Sequence, residues 1–505
     1  HLGWMQMRQT KINRRNDFKA VCGWRIWAWL LAAACVIGGL APLQPVHAAS
    51  GVKQVAPAAA ILTSNMGDIA VETLNHLTTA GQYTVRQYQY ETGDRFRSVR
   101  FQPQGRGSSC LQTLYLEADE GEIRYFSEGE WHHQPLQTGL YRAGMYFLTA
   151  GDQSVIVSLP RCYQDRANDC IEAIPDSDGF MTVTKVGTGF LVRLMVPPAP
   201  VESYFTYYLL EGGASLIDWS RSDAQAQWSN YQMEGDNRWT DRGYYYTAPY
   251  NYIPTGENYF HRIPVSYIPI KMLDCPDLAA RELAIPMLHV MLELQNARGY
   301  FPTRAGSEWL LNDYEISANF YDTRFSTDMA AGLLSAYQAY GIDAFWEAAK
   351  RYGDFLLWYA QQTHRIYTNE QTRESGWLLG DYWDPDGNQP VHTSLNHQLC
   401  ETLFLYRMEH ITGDVSYGEA ADQMLAGLTA VGTDWLQPDG NLWYSMEADG
   451  TMGGTEYPYL TYNDLYDLQK MLEICRDGRD PVLQKLMDSK LQWMQANGIE
   501  GYKQD

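Results

Sequence analysis

The 505-residue sequence is poor in positive charge. Lysine and arginine total 38 against 60 aspartates and glutamates, which gives a formal net charge of −22. Such a field repels nucleic acid and anionic membranes, so neither is expected as a partner. Charged residues make up only 19% of the chain and hydrophobic residues 45%, a balance typical of folded proteins rather than disordered ones.

The short motifs of several large enzyme classes are also absent. The sequence has no Gly-x-Ser-x-Gly nucleophile elbow, no phosphate-binding P-loop and no dinucleotide-binding glycine pattern. It has neither a Cys-x-x-Cys nor a His-x-x-x-His spacing, and the adjacent His132 and His133 are interpreted as a surface pair. We therefore predict neither a metal site nor a cofactor.

Cysteine is scarce, with eight residues in the whole chain. Cys162 and Cys170, eight positions apart around a polar turn, are the best candidates for a disulfide if the protein is exported. Cys400 and Cys475 fall within apolar helical patterns, which predicts buried free thiols.

Residues 1–48 have the features of a secretory signal peptide. Basic residues precede an apolar stretch from Trp24 to Leu40, and Val46-His47-Ala48 offers a cleavage site. We predict a secreted or cell-envelope protein without stable membrane insertion after cleavage. An uncleaved anchor is the alternative, although this 17-residue stretch is short for a span, and lipid attachment at Cys35 has weaker support. The segment carries six basic residues and one acid, so its removal takes the formal charge to −27.

The rest of the chain divides into regions of different texture. Residues 49–82 are alanine-rich and predict a helical or linker segment. Short apolar or alternating runs separated by turn residues occupy 83–220, a pattern typical of a β-sandwich or barrel. Residues 221–273 are aromatic and punctuated by proline, and are interpreted as an ordered connector against a surface or cleft.

Residues 274–505 show helical periodicity in pairs. Helices are expected to end at Gly341 and Gly413, and a kink is expected at Pro286. Long loops separate the pairs, which favours an α/α toroid-like domain with the loops forming a cleft over an ordinary helix bundle. The predicted fold class is α+β multidomain, an N-terminal antiparallel β domain followed by a C-terminal α/α toroid-like helical domain.

The loops between helix pairs hold most of the polar and aromatic candidates. The chain has 36 Tyr and 16 Trp against 15 Phe, and Tyr and Trp suit carbohydrate clefts as well as large cores. The site candidates in these loops and at their edges are Arg304, Arg324, Tyr382, Trp383, Asn396, His397, Tyr444 and Tyr457.

Three segments resemble the C-terminal helical domain of the D-glucuronyl C5-epimerase family. They are Leu395-Asn396 opening an apolar helix that ends at Gly413, Asp439-Gly-Asn-Leu-Trp-Tyr444, and Glu456-Tyr457 shortly before Asn463-Asp-Leu465. Their order and spacing match over roughly residues 375–497, and weaker similarity extends back to about residue 276. The family's architecture, β domains followed by a helical toroid-like domain, matches the order predicted here.

The resemblance implies an isomerase that inverts C5 of uronic-acid units in a polysaccharide. The C5 proton is α to a carboxylate, so the reaction needs a base on one face, an acid on the other and nearby positive charge. Tyr457 and Tyr444 occupy positions of family catalytic tyrosines. At the third position this chain has Asp386, with Tyr382 four residues earlier, a departure that puts retained epimerisation in doubt.

Arg304 and Arg324 are predicted to hold the substrate carboxylate, with Asn396, His397 and Trp383 as further substrate-binding residues. Loop-pinning ion pairs are the alternative for both arginines. Two other classes of function stay open. The first is another polysaccharide-cleaving enzyme: a glycoside hydrolase, which needs two carboxylates about 5–10 Å apart, or a polysaccharide lyase, which would use the same tyrosines or His397. The second is a non-catalytic glycan-binding protein, which would use loop aromatics. The carboxylate candidates are Glu315, Asp322, Asp328, Asp381 and Asp384.

Overall fold

The structure is a computed structural model that describes residues 58–105, 107–142, 144–213 and 216–504. The predicted signal peptide lies outside the described residues. Residues 54–505 form one compact unit, in which strands dominate up to Arg262 and helices dominate from Tyr267 onward. Among the described residues, no helix combines the length and apolarity needed to cross a bilayer.

The first half of the chain is built from antiparallel strands. They are β1 (Ala58–Ser64), β2 (Gly67–Leu77), β3 (Gly81–Tyr90), β4 (Arg95–Pro103), β5 (Ser109–Glu117), β6 (Gly121–Ser127), β7 (Glu130–Pro135), β8 (Gly139–Arg142), β9 (Met145–Ala150), β10 (Gln153–Asp165), β11 (Cys170–Ala173), β12 (Phe180–Val186), β13 (Gly189–Val196), β14 (Tyr204–Gly212), β15 (Asn237–Thr240), β16 (Gly243–Thr247), β17 (Tyr252–Ile253) and β18 (Tyr259–Arg262).

Most of these strands belong to two sheets that pack face to face. The larger has the order β1-β2-β3-β4-β14-β10-β11-β18-β16-β15, with β9, β6 and β7 continuing from β10, and the smaller is β5-β13-β12-β8. Strand β14 is buried on both faces. Its alternate residues point to opposite sides of the sheet, and each side is covered by a hydrophobic core. Phe205, Tyr207 and Leu209 face the smaller sheet, whereas Tyr208 and Leu210 join the core shared with the helices.

Ten helices lie within the described residues. They are α1 (Ala224–Asn230), α2 (Tyr267–Lys271), α3 (Leu278–Met291), α4 (Glu308–Tyr314), α5 (Thr323–Tyr340), α6 (Asp343–Thr363), α7 (Leu395–Thr412), α8 (Val415–Val431), α9 (Leu460–Cys475) and α10 (Pro481–Ala496).

The predicted helix pairs are confirmed as α5–α6, α7–α8 and α9–α10, and α7 packs against both α5 and α9. Gly341 and Gly413 end α5 and α7 in the left-handed conformation that glycine adopts most easily. Asp414 and Asp480 accept hydrogen bonds from the first turns of α8 and α10. Pro286 lies inside α3.

Two segments differ from their predicted conformation. The alanine-rich segment is predicted to be helical or a linker; residues 49–57 lie outside the described residues, and the rest forms β1 and β2 instead. Strand β2 pairs with β3 from Ile69 to Leu77 and turns Ile69 and Val71 inward. Cross-strand pairing thus overrides alanine's preference for helix. In the predicted connector, β15, β16 and β18 pair into the larger sheet, so this part of the segment extends the β region.

The predicted disulfide between Cys162 and Cys170 is wrong, since both are buried free thiols. The β10–β11 register explains this. Cys162 accepts through its carbonyl from Ile174, whereas Cys170 accepts from Arg166. The two cysteines therefore lie four residues apart along the hairpin, roughly 13 Å, which is beyond the reach of a disulfide. Cys400 is a buried free thiol as predicted, and Cys475 is only partly buried.

Short strands in the loops bring distant segments of the helical region together. They are β19 (Gly306–Ser307), β20 (Tyr321–Asp322), β21 (Arg365–Thr368), β22 (Ser375–Leu378), β23 (Tyr382–Trp383), β24 (Thr393–Ser394), β25 (Trp443–Met446) and β26 (Met452–Thr455). Strand β20 pairs with β23, and β24 pairs with β25. The second loop, residues 377–396, is thereby joined to the first loop, residues 300–324, and to the third loop, residues 441–463.

Candidate functional site

The candidate site lies where the three loops meet at the N-terminal ends of α5 and α7. Asp322, which caps α5, stands opposite Tyr382 in the β20–β23 ladder. Ser394, the residue before α7, stands opposite Ser445, the neighbour of Tyr444. These two ladders place side chains from all three loops around one point.

That point is the imidazole of His392. Four aromatic rings surround it, with centroid distances of 5.9 Å to Trp309, 5.8 Å to Tyr314, 5.9 Å to Tyr382 and 6.2 Å to Tyr444. His392 itself is buried, whereas Trp309 is 39% exposed and the three tyrosines are partly exposed. The phenol cluster, defined as Tyr314, Tyr382, Tyr444 and Tyr457, is therefore reachable from solvent.

A chain of polar contacts runs from Tyr314 through His392 to Asp381. The Tyr314 hydroxyl is 2.9 Å from Nδ1 of His392. Nε2 of His392 is 3.2 Å from Oδ2 of Asp381, an ion-pair contact in which the N–H is not aligned for a hydrogen bond. Asp381 is fixed in turn, because its carboxylate accepts hydrogen bonds from the backbone N–H, at 2.7 Å, and the hydroxyl of Ser394. A buried carboxylate that orients an imidazole beside a hydroxyl is the arrangement that activates hydroxyl groups in many enzymes.

The buried acids and histidines differ in charge state. Burial opposes ionisation of Asp381, but His397, His392 and Ser394 outweigh it, so the pKa of Asp381 is below its ordinary value. Burial likewise opposes protonation of His392, yet Asp381 outweighs it and the pKa of His392 is raised. Burial lowers the pKa of His397 to about 4. Burial also raises the pKa of Asp322 to about 7, against the hydrogen bond from the Phe325 backbone.

Three tyrosines of the cluster, Tyr314, Tyr382 and Tyr444, are held as neutral phenols. Burial, and then the neighbouring Tyr444 and Asp322, put the pKa of Tyr382 well above its ordinary value. Burial and Tyr457 do the same for Tyr444. Burial together with Glu447 raises the pKa of Tyr314 to about 12. These three phenols therefore keep their protons at neutral pH, and none of them is an ionised base at rest.

The structure brings together the three tyrosines predicted from the sequence. Tyr444 and Tyr457 meet edge to face with ring centroids 5.8 Å apart. Tyr382 joins them through His392, which lies between Tyr382 and Tyr444.

The predicted carboxylate-binding arginines lie elsewhere. Arg324 is buried, and its guanidinium donates to both oxygens of Asp464 at 2.7 and 3.2 Å and to Asp328 at 3.0 Å. It also donates to the carbonyl of Asn396. Arg324 therefore connects α5 to α7 and α9, which agrees with the alternative interpretation of this arginine as part of a structural ion pair. Arg304 is 38% exposed and lies 3.6 Å from Asp169, away from the predicted tyrosines.

The remaining predicted binding residues are divided. Trp383 points to the opposite side of β23 from Tyr382 and packs against Phe355 and Trp358, outside the phenol cluster. His397 lies behind Tyr382 with ring centroids 6.0 Å apart, and its Nδ1 contacts the Thr323 hydroxyl at 2.8 Å. Asn396 is buried and its Nδ2 has no hydrogen-bond partner among the described residues.

Of the five candidate carboxylates, only Asp322 and Asp381 border the phenol cluster. Asp328 is bound by Arg324 and by the Tyr267 hydroxyl. Asp384 accepts from the backbone N–H and the hydroxyl of Ser317, and Glu315 is exposed at the end of α4.

The predictions from the sequence did not include Tyr314, Trp309, Arg365 or the central position of His392. The Arg365 guanidinium donates to the carbonyls of Glu447 at 2.7 Å and Met446 at 3.0 Å and makes no ion pair with a described residue. Burial lowers its pKa. Tyr314 and Trp309 belong to α4, a seven-residue helix inside the first loop. A helix this short does not produce a periodic pattern long enough to predict it. Among the described residues, no group of three or more His, Cys, Asp or Glu is arranged to hold a metal ion.

No family model and no curated protein matches the sequence. Among solved structures, the chain is similar to a D-mannose isomerase, with 14% identity over 46% of this chain and 59% of that chain and a TM-score of 0.33. It is also similar to a cellobiose 2-epimerase from Bacillus thermoamylovorans, with 11% identity over 47% and 61% and a TM-score of 0.32. An unsaturated glucuronyl hydrolase from a Bacillus species shows 15% identity over 45% and 58%, with a TM-score of 0.30.

The chain spans about three fifths of the length of each of these proteins. At TM-scores near 0.3 the similarity carries no argument about this chain's activity. The geometry around His392 is therefore the basis for assigning a function.

Proposed function

We propose that the protein is an exported carbohydrate-active enzyme of the C5-epimerase type, which removes and returns the C5 proton of a uronic-acid unit in a polysaccharide. The observation that carries this proposal is the Tyr314–His392–Asp381 chain, at 2.9 and 3.2 Å, beside the neutral phenols of Tyr382 and Tyr444. Proton removal and proton return need separate carriers, and this site supplies both kinds.

On the base side, Tyr314 is the residue that meets the substrate. His392 carries its own proton on Nε2, which faces Asp381, and accepts the Tyr314 hydroxyl proton on Nδ1. The Tyr314 phenolate that forms then takes the proton from C5. Asp381 stabilises the imidazolium that forms, as a buried carboxylate does in hydroxyl–His–Asp triads. A pKa of about 12 makes the Tyr314 phenolate a strong base once it has formed.

On the acid side, Tyr444 returns a proton to the opposite face of C5. Its raised pKa keeps it protonated until the carbanion forms, and Tyr457 packs against its ring. Tyr444 keeps the proton-carrying role implied by the family resemblance, whereas Tyr457, the other proton carrier implied by it, supports the ring of Tyr444. Tyr314, which the sequence did not single out, takes the base role.

The carbanion next to a carboxylate also needs positive charge. Arg365 is the candidate, because its guanidinium is held by the carbonyls of Met446 and Glu447 and by the Thr393 hydroxyl rather than by a carboxylate. The positive charge of Arg365 opposes protonation of His392, although Asp381 outweighs it, so Arg365 lies close enough to influence the site. It replaces Arg324, whose donors are occupied.

The test is solvent exchange at C5. A glucuronate polymer is incubated with the protein in heavy water, and deuterium at C5 is measured by NMR. Label is expected with the wild type and is expected to fall by about 100-fold or more in Tyr314→Phe and His392→Asn. Tyr337→Phe, at a partly buried tyrosine on α5 outside the cluster, is the matched control. A folded wild type that leaves C5 unlabelled overturns the proposal.

A glycoside hydrolase is the second candidate, and one observation favours it. The pKa of Asp322 is raised to about 7 while that of Asp381 is lowered, which splits two neighbouring carboxyls into an acid and a base. Both are almost completely buried, and Ser394 occupies the Asp381 carboxylate, which ranks this candidate second. New reducing ends without C5 label would identify a hydrolase, and unsaturated uronate absorbance a lyase.

A further inference from the structure

Three arginines converge on a single carboxylate where the larger sheet meets the segment leading to α4. Asp169 lies in the turn between β10 and β11. Its Oδ2 is 3.4 Å from Nη1 of Arg262 and 3.6 Å from Nη1 of Arg304, and its Oδ1 is 3.8 Å from Nη1 of Arg242. All three distances exceed the ~2.7–2.9 Å of a charge-assisted hydrogen bond. One carboxylate therefore does not satisfy three guanidinium groups.

Two of these arginines lack other partners. Arg304 is 38% exposed, and its contact with Asp169 is its only ion pair among the described residues. Arg262 is almost completely buried, and its Nε and Nη2 have no hydrogen-bond partner in the described part of the chain. A buried guanidinium with unmet donors is costly unless an acceptor or a counter-charge compensates it.

The surroundings do not neutralise the group. Arg242 also donates to the Tyr204 hydroxyl at 3.0 Å and shares Asp165 with Arg100. Four guanidinium groups are thus matched by Asp165 and Asp169 and by Asp241, whose pKa is raised by burial. Positive charge is concentrated here in a chain whose net charge is −22.

The arginines lie outside the phenol cluster and are connected to it through the β17–β19 ladder. Arg304 is three residues before Ser307, which caps α4, the helix that carries Tyr314. Ser307 pairs with Tyr252 in the β17–β19 ladder. Tyr252 is among the neighbours that raise the pKa of Tyr382, so this ladder connects the two groups of side chains.

We propose that Arg304, Arg262 and Arg242 form a binding subsite for an oxyanion, the carboxylate or sulfate of a sugar unit next to the one held at Tyr314. Arg304 is the accessible member and provides a planar pair of donors, and the other two supply charge from beneath. The glycan identity of the ligand rests on the proposed function, whereas anion binding by these residues does not.

The test measures binding without turnover. The full chain is titrated by calorimetry with a glucuronate-containing tetrasaccharide, a neutral tetrasaccharide and inorganic sulfate. The acidic tetrasaccharide is expected to bind more tightly than the neutral one, and Arg304→Gln is expected to weaken it by about tenfold or more. Arg193→Gln, at an exposed arginine on β13, removes the same charge and is expected to change nothing. Asp169→Asn is expected to tighten binding, because it removes the competing carboxylate.

The outcomes separate the subsite from the reaction. Competition by sulfate supports a general oxyanion site. Tetrasaccharide binding that is unchanged by Arg304→Gln, or weakened equally by Arg193→Gln, overturns the subsite. A protein that binds the acidic tetrasaccharide through Arg304 yet leaves C5 unlabelled refutes the epimerase and keeps the subsite.

Discussion

Lys490 on α10 is completely buried and donates from Nζ to the carbonyl oxygen of Tyr457 across 2.9 Å. Its other partner is Oδ1 of Asn441 at 2.6 Å. Glu456 also contacts the backbone of Tyr457, because its Oε1 accepts from the Tyr457 N–H at 2.6 Å. Burial lowers the pKa of Lys490 to about 8 and raises that of Glu456 to about 7. The backbone that carries one of the cluster's phenols is therefore fixed by two buried ionisable groups.

Replacing Lys490 with methionine is expected to destabilise the protein by about 1–3 kcal/mol at neutral pH. The change leaves the Tyr457 carbonyl without its donor and Glu456 without a nearby cation, and Asn441 Oδ1 keeps only the backbone N–H of Leu442. Urea unfolding followed by circular dichroism measures the loss. Lys485→Met, at an exposed lysine on the same helix, is the control. Equal stability of the two variants would show that Lys490 contributes no net interaction.

Replacing Arg324 with methionine is expected to cost about 3–5 kcal/mol, because Asp464 and Asp328 would remain buried without their cation. Arg324→Lys is expected to recover only part of this, since lysine lacks the planar pair of donors. Thermal unfolding is the measurement, with Arg298→Met at an exposed position as the control. A variant of full stability that had lost glycan binding would instead support the substrate role predicted from the sequence.

His289 provides a test of pH dependence. Its Nδ1 is 2.8 Å from the Tyr88 hydroxyl, and burial lowers its pKa from 6.5 to about 4, with a smaller contribution from Arg86. The unfolded chain therefore binds a proton that the folded chain does not between these values. The contribution of His289 to stability is complete above pH 6.5 and is lost as the pH falls toward 4.

In His289→Gln this component is absent. Between pH 6.5 and 4, the free energy of unfolding of the wild type is expected to fall more steeply than that of the variant, by about 1.4 kcal/mol per pH unit. His261 and His397 titrate in both proteins, so the difference isolates His289. Parallel stability curves from urea unfolding at several pH values would contradict the buried neutral state.

A close approach of backbones is expected to make one glycine pair intolerant of substitution. A Cβ on Gly376 of β22 would lie 2.0 Å from the backbone N of Gly427 on α8, and a Cβ on Gly427 would lie 2.2 Å from the Trp377 carbonyl oxygen. Alanine at either position is expected to cost about 3 kcal/mol, since the strand and the helix must separate. Gly380→Ala, with its nearest neighbour at 3.5 Å, is the control in thermal unfolding.

Local sequence signals predicted the helix pairs and the β-rich character of residues 83–220, because these depend on periodicity and on capping residues close in the chain. Gly341, Gly413 and Asp414 act within one turn of the helix that they bound. The failures are those that distant pairing decides. Strand β2 forms against β3 despite its alanine-rich setting, and the β10–β11 register separates Cys162 from Cys170.

The candidate site divides in the same way. Tyr444 and Tyr457 were found from their loop and its family resemblance. The contact of Tyr314 with His392 spans 78 residues, and that of Arg324 with Asp464 spans 140. No spacing in the sequence encodes either partner. Composition also says nothing about whether an arginine has its donors occupied, which is what distinguishes Arg324 from Arg365.

The burial of β14 on both sides has a consequence for how the molecule can be divided. Phe205, Tyr207 and Leu209 need one covering layer, and Tyr208 and Leu210 need the other. A truncated chain that stopped before the helices would expose Tyr208 and Leu210 to water as part of a large apolar surface. Expressed halves are therefore expected to aggregate.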